Sequence, residues 1–189
     1  IGTNALAGET TTYVIGEEIV AIGTSAGQYN SSTAAGGGVF LGSFAGQHTS
    51  NNQTKNGINQ IAIGRRAMQY FTSSESVAIG AYSMIDNNGS TSTLSGTGHI
   101  AIGTYALGST GSAPTVSGSH NIAIGYKSQD AVQDLGGATI AIGRSTYSKG
   151  TDTIAIGRQA QAGTSTNSNS IAIGAAATAA GADSIAIGF

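Results

Sequence analysis

Groups able to carry proton transfer, metal ligation or nucleophilic attack are few in this 189-residue chain, and they are not clustered. The histidines are His48, His99 and His120. The carboxylates (Glu9, Glu17, Glu18, Glu75, Asp86, Asp130, Asp134, Asp152 and Asp183) are scattered, without the paired spacing that general acid–base work needs. Cysteine is absent, which removes disulfides and thiolate metal sites together. No Gly-x-Ser-x-Gly elbow, His-Glu-x-x-His pair or phosphate loop occurs, and Gly36-Gly37-Gly38 has no helical pattern after it. No calcium-binding Gly-Gly-x-Gly-x-Asp nonapeptide is present, and the threonine runs fall outside any repeating register. His99 and His120 stand just before repeated Ile-Ala-Ile units, where other copies carry Asn, Ser or Thr, so both read as polar turn residues. The expectation is a protein that is not an enzyme, with no catalytic residue, no cofactor and no metal site.

The elements that position every other side chain are the repeats themselves. Ile-Ala-Ile-Gly stands at 61–64, 100–103, 122–125, 140–143, 154–157, 171–174 and 185–188. Variants open with Val20, Val39 and Val77, and Phe40-Leu41 replaces Ala-Ile in the second of these. Successive anchor glycines are 14 to 23 residues apart, and the minimum of 14 occurs twice. Fourteen is therefore the basic unit and the excess is insertion. Three residues after each glycine stands a small residue: Ala5, Ala26, Ala45, Ala67, Ser83, Ala106, Ser128, Thr146, Ala160 or Ala177. Before the triplets, Glu75-Ser76, Asp152-Thr153, Asn169-Ser170 and Asp183-Ser184 supply turn chemistry, since such side chains bond nearby backbone amides.

Ile-Ala-Ile is a period-2 pattern with both isoleucines on one face, and glycine then permits a corner that a Cβ would crowd. Fourteen residues cannot hold a parallel βαβ crossover, but they suffice for two short strands and two turns. The prediction is an all-β parallel roll of about ten 14-residue-based coils, stacked about 4.8 Å apart into a rod of roughly 48 Å. It is read as one repeat domain over residues 1–189, insertion-rich at 1–143 and compact at 144–189. Beginning and ending inside the array predicts a fragment of a longer fibrous protein.

Alternation places the isoleucines and alanines on opposite faces without saying which face is inside. The isoleucine pairs (Ile61, Ile63; Ile100, Ile102; Ile122, Ile124; Ile140, Ile142; Ile154, Ile156; Ile171, Ile173; Ile185, Ile187) are assigned to the coil core. The alanine ladder of Ala62, Ala78, Ala101, Ala123, Ala141, Ala155, Ala172 and Ala186 is assigned to an interface with partner chains, with the reverse left open. Either way, a thin roll with an apolar second face predicts homo-oligomerisation.

Arg65, Arg144 and Arg158 directly follow anchor glycines, and Phe44, Tyr82 and Tyr105 stand one place further on. They are the outer-face ligand candidates, being of types enriched at binding hot spots; the plainer reading is solubilising surface residues. Inserts at 28–37, 49–59, 87–98, 109–119 and 130–137 are rich in Ser, Thr, Asn and Gly, the usual carriers of specificity on a rigid scaffold. Sequons begin at Asn30, Asn52 and Asn88. Charged residues make up only 8% of the chain and the formal net charge is −2, so no field attracts nucleic acid or an anionic membrane. No apolar run reaches the roughly 18 residues of a spanning helix, so no direct membrane contact is expected from this segment.

Asn169-Ser170-Ile171-Ala172-Ile173-Gly174 and Glu75-Ser76-Val77-Ala78-Ile79-Gly80 resemble the Asn-Ser-Val-Ala-Ile-Gly coil of trimeric autotransporter adhesin heads, the Yersinia adhesin type. The resemblance covers essentially the whole array, although family heads are compact whereas this chain inserts up to nine residues per coil. It implies a left-handed parallel β-roll, a parallel homotrimer, and an adhesin at the bacterial cell surface that attaches to an extracellular matrix protein, glycan or cell-surface receptor. Similar Ala-Ile-Gly arrays occur in phage tail fibres, so a virion fibre segment or a purely structural spacer is the alternative.

Overall fold

The computed structural model describes residues 1–5, 18–28, 37–47, 58–71, 73–85, 93–94, 96–108, 115–116, 118–130, 136–164 and 168–189. The bodies of the five inserts, the three sequons, His48, Glu9, Glu17, Asp86 and Asp134 lie outside these residues. The described residues are all-β and contain no helix.

The strands in chain order begin with β1 (Ile19–Ile22), β2 (Gly38–Leu41), β3 (Gln60–Ile63), β4 (Val77–Ile79) and β5 (Thr93–Leu94). Next come β6 (Ile100–Ile102), β7 (Thr115–Val116), β8 (Ile122–Ile124), β9 (Ile140–Ile142) and β10 (Tyr147–Ser148). The last are β11 (Ile154–Ile156), β12 (Gln161–Ala162), β13 (Ile171–Ile173), β14 (Thr178–Ala179) and β15 (Ile185–Ile187). One ten-stranded parallel sheet, β1-β2-β3-β4-β6-β8-β9-β11-β13-β15, forms the first wall. Its register stacks like on like: Ile154 pairs with Ile140 and Ile171, and Ala155 with Ala141 and Ala172. Each rung bonds in both directions. Gly157 N donates to Ile142 O of the rung before at 2.8 Å, and Ile154 N donates to Ser170 of the rung after at 2.9 Å.

The corner after each strand needs glycine. Gly103 has φ 130°, a region closed to other residues, and a Cβ there would lie 2.6 Å from the Gly125 carbonyl oxygen of the next rung. The residue two places before the triplet is also left-handed, as at Glu75 (φ 53°), Asp152 (55°), Asn169 (57°) and Asp183 (53°). This explains the turn chemistry there, since Asn and Asp tolerate that conformation best among side-chain-bearing residues.

The assignment of faces is the reverse of the expectation. Ala62, Ala78, Ala101, Ala123, Ala141, Ala155 and Ala172 are at 0% exposure inside the coil, so they offer nothing to a partner chain; Ala186, in the last rung, packs against the same interior. None of Ile61, Ile63, Ile100, Ile102, Ile122, Ile124, Ile140, Ile142, Ile154, Ile156, Ile171, Ile173, Ile185 or Ile187 is buried; they point outward. The reason is width. The alanines face the small residues Ala26, Ala45, Ala67, Ser83, Ala106, Ser128, Thr146 and Ala160, all buried on the opposite wall. An isoleucine inside would overfill a gap sized for methyl groups.

The expectation of about ten 14-residue-based coils, each of two short strands, is corrected as well: ten strands stack in the first wall, but turns with a second strand are fewer. Among the described residues the second wall is extended only in β10-β12-β14, while β5 and β7 form a separate two-stranded pairing. Upstream, the segment after each glycine is a chain of turns with alternate residues left-handed, as at Arg66 (φ 58°), Met68 (52°) and Tyr70 (63°). These turns still bond from rung to rung, Met68 N to Ser83 O and Met84 N to Ala106 O, both at 2.9 Å.

Candidate interaction surfaces

The first wall presents two outward columns of branched apolar residues. One runs Val20, Val39, Ile61, Val77, Ile100, Ile122, Ile140, Ile154, Ile171, Ile185; the other is its partner column two residues later. Neighbours above and below cover part of each side chain, yet Ile61 and Ile102 keep 37% of their surface and Ile22 keeps 48%. Ten rungs about 4.8 Å apart make an apolar face roughly 43 Å tall. A face this large and continuous on a water-soluble surface marks an interaction site rather than scattered exposure.

The corner that follows the glycines carries the second surface. Tyr82 and Tyr105 stack at 4.9 Å between centroids and 12° between planes. The Arg65 guanidinium lies 4.6 Å from the Tyr82 centroid. Thus the structure brings three of the ligand candidates together. Arg66, which sequence reasoning passed over, bridges Phe44 (5.6 Å) and Tyr82 (5.8 Å), while the Lys127 ammonium lies 5.9 Å from the Tyr105 and Tyr126 rings. The signal for Arg66, Tyr126 and Lys127 was their place one or two residues after an anchor glycine. The ring faces are spent on each other and on the cations, so this column offers edges and hydroxyls outward. Arg144 and Arg158 stand apart from the aromatics and are exposed; Arg158 donates to Gln159 Oε1 at 2.9 Å.

The left-handed corner before each strand is the third. Glu18, Glu75, Asp152 and Asp183 are all exposed there, and Asp183 Oδ1 accepts from Asn169 Nδ2 at 2.9 Å.

The histidines divide. His120 is exposed in this corner, but His99, read as a turn residue, points into the roll at 0% exposure. Its Nδ1 accepts from Asn121 N at 3.3 Å and its ring meets Phe71 edge-on at 6.0 Å. The two histidines therefore share no face. Among the described residues no group of three or more His, Asp or Glu could hold a metal ion. No described helix is long and apolar enough to cross a membrane.

Comparison with known proteins places the chain's last rungs. Residues 136–160 and 165–189 each match the family model of the YadA head domain repeat, two copies in all. No curated protein and no solved structure matches the chain. The two matched stretches hold the strands β9, β10, β11, β13, β14 and β15, and the ten-stranded first wall continues from them through the upstream rungs. Residues 136–160 and 165–189 thus match YadA head domain repeats, which supports a head-like domain of the trimeric autotransporter adhesin type.

Proposed function

We propose that the chain is a head segment of a trimeric autotransporter adhesin, displayed at the bacterial surface, which attaches cells by non-catalytic contact. The observation that carries this reading is the ten-rung outward Ile/Val face on a β-solenoid ending in YadA head repeats. Three chains close their apolar faces around a common axis and turn their second walls and inserts outward. The ligand is an extracellular matrix protein, a glycan or a cell-surface receptor, met by sites repeated threefold on each fibre and many times on each cell. Such repetition converts weak contacts into avidity without any deep pocket.

Light scattering tests the assembly. Three 18.6 kDa chains give a particle of about 56 kDa, and a monodisperse monomer would overturn the reading. Beads coated with the assembled protein should then bind at least one of collagen, fibronectin, immobilised glycans or whole cells above a blank control. Failure on every surface would reduce the segment to a spacer.

A further inference from the structure

The two corners that bound the apolar face carry opposite charge. Along the glycine-following corner stand Arg65, Arg66, Lys127, Arg144 and Arg158, five of the seven cations in the chain, and no carboxylate. Along the corner before the strands stand Glu18, Glu75, Asp152 and Asp183, and no Lys or Arg. A chain with a formal charge of only −2 has thus sorted its few charges to opposite edges of one wall.

Few of these charges meet an opposite charge among the described residues. Among the described residues the only ion pair is Lys127 with Asp130, at 3.6 Å, so Arg65, Arg144, Arg158, Glu75 and Asp152 find no opposite charge there. All five are exposed. Asp152 and Arg158 flank the same strand, Ile154–Ile156, with five residues between them. Glu75 flanks Val77–Ile79, one rung above the strand that Arg65 and Arg66 follow.

We infer that the edges of the apolar face are complementary docking strips for further copies of this chain, the acidic edge of one copy meeting the basic edge of the next. The inference rests on the oligomer proposed above and adds its contact rule. When flat faces turn toward one axis in parallel, each left edge meets a neighbour's right edge, never its own kind. That contact is heterologous and closes into a ring. In a ring without axial shift, Asp152 of one copy meets Arg158 of the next; a shift of one rung brings Asp152 to Arg144 and Glu75 to the Arg65–Arg66 pair instead. The apolar columns repeat identically at every rung and so cannot choose between registers. The charges do not recur at every rung, so only the registers that bring Asp152 to Arg158 or to Arg144 pair it. The hydrophobic face therefore supplies adhesion between copies, and the edges set direction and axial register, the usual division between apolar area and charge complementarity.

Cross-linking tests this directly, because the chain has no cysteine of its own. In the double variant Asp152→Cys/Arg158→Cys, oxidation should give covalent closed oligomers in a denaturing gel. Either single variant should give no cross-link, because like edges never meet. Charge removal by Asp152→Asn, which keeps a residue suited to the left-handed turn, should weaken association several-fold at low salt and little at high salt. Arg158→Asp should weaken it by at least about tenfold, and Asp152→Arg/Arg158→Asp together should restore it. Far-ultraviolet circular dichroism of each variant monitors the β-fold of the single chain. Cross-linking in a single-cysteine variant, or an oligomer indifferent to salt and to both reversals, would overturn the edge rule while leaving the proposed function standing. A wild-type chain that stays monomeric at every salt concentration would overturn both.

Discussion

The rungs before Gly143 and those after it solve the same closure problem with different materials. In the later rungs the interior is alanine with small hydroxyl side chains: Ala155, Ala160, Ala162, Ala172, Ala177 and Ala179 beside Thr146, Ser148, Thr153 and Ser170. In the earlier rungs the same column positions are joined by Phe40, Met68, Phe71, Met84 and Leu107. The extended second wall belongs to the alanine-filled rungs, and the left-handed turns to the wider ones. A 14-residue coil is narrow enough to be filled by methyl groups. Insertion-bearing coils bury bulky side chains beside the same small-residue columns. Phe40 shows how local this is: it occupies the alanine column, and Gly38 and Gly46 lie against its ring where any Cβ would collide. The family model matches only the bare rungs, which is where the coil is built from the motif and little else.

If closure differs in this way, substitutions should separate the two regions. The largest loss is expected where they do not differ, at the glycine corner. Gly103→Ala and Gly157→Ala each drive a Cβ into the next rung's carbonyl and should cost above about 5 kcal/mol or abolish folding, read by urea unfolding. An early rung that tolerated the change and a late one that did not would mean that inserts relax the stack. Next, Phe40→Ala should cost about 3–5 kcal/mol, since loss of the ring leaves a cavity that two glycines cannot fill. Its mirror in the compact region, Ala172→Leu, should cost about 2–3 kcal/mol by overfilling, with Ala177 and Ala179 opposite. Equal tolerance of leucine at Ala172 would show that the narrow coil has room to widen. The smallest effect belongs to an amide ladder peculiar to the early rungs. There Gln47 Nε2 donates to Gln28 Oε1 at 2.8 Å and Gln69 Nε2 donates to Gln47 Oε1 at 2.6 Å. Gln47→Ala should cost about 1 kcal/mol and should increase hydrogen exchange at the mouths of the adjoining inserts.

Much of this was legible in the residues, and the parts that were not have physical causes. The period, the glycine corner and the small residues three places on follow from a repeat seen many times. The direction of the faces does not follow from alternation, which is symmetric between Ile and Ala. The deciding signal lay elsewhere: the position before the triplet is Ser76, Thr139, Thr153 or Ser170, and the position after the corner is always small. Every column restricted to small side chains is a confined one, and Ala belongs with them. Ile19, Gln60, His99 and Asn121 break that pattern; Gln60 donates to Ser73 O, and His99 and Asn121 are held by backbone and side-chain partners in the adjoining rungs. The turns of the early second wall had no such marker, because Phe44, Arg66, Tyr82, Tyr105 and Lys127 are unusual residues for a left-handed backbone. Their conformation comes from the stack, not from their own preference: each amide donates backward to the preceding rung, Arg66 to Ser43 and Lys127 to Thr104.

That imposed turn has a use. Because the stack dictates the backbone there, the side chain is free, and the column reads Ser25, Phe44, Arg66, Tyr82, Tyr105, Lys127, Ser145, Gln159, Ala176 with φ held between 53° and 61°. The corner is a row of interchangeable sockets at a fixed pitch. A fibre built this way can change what it shows to the outside, one socket at a time, while the rod beneath keeps its shape.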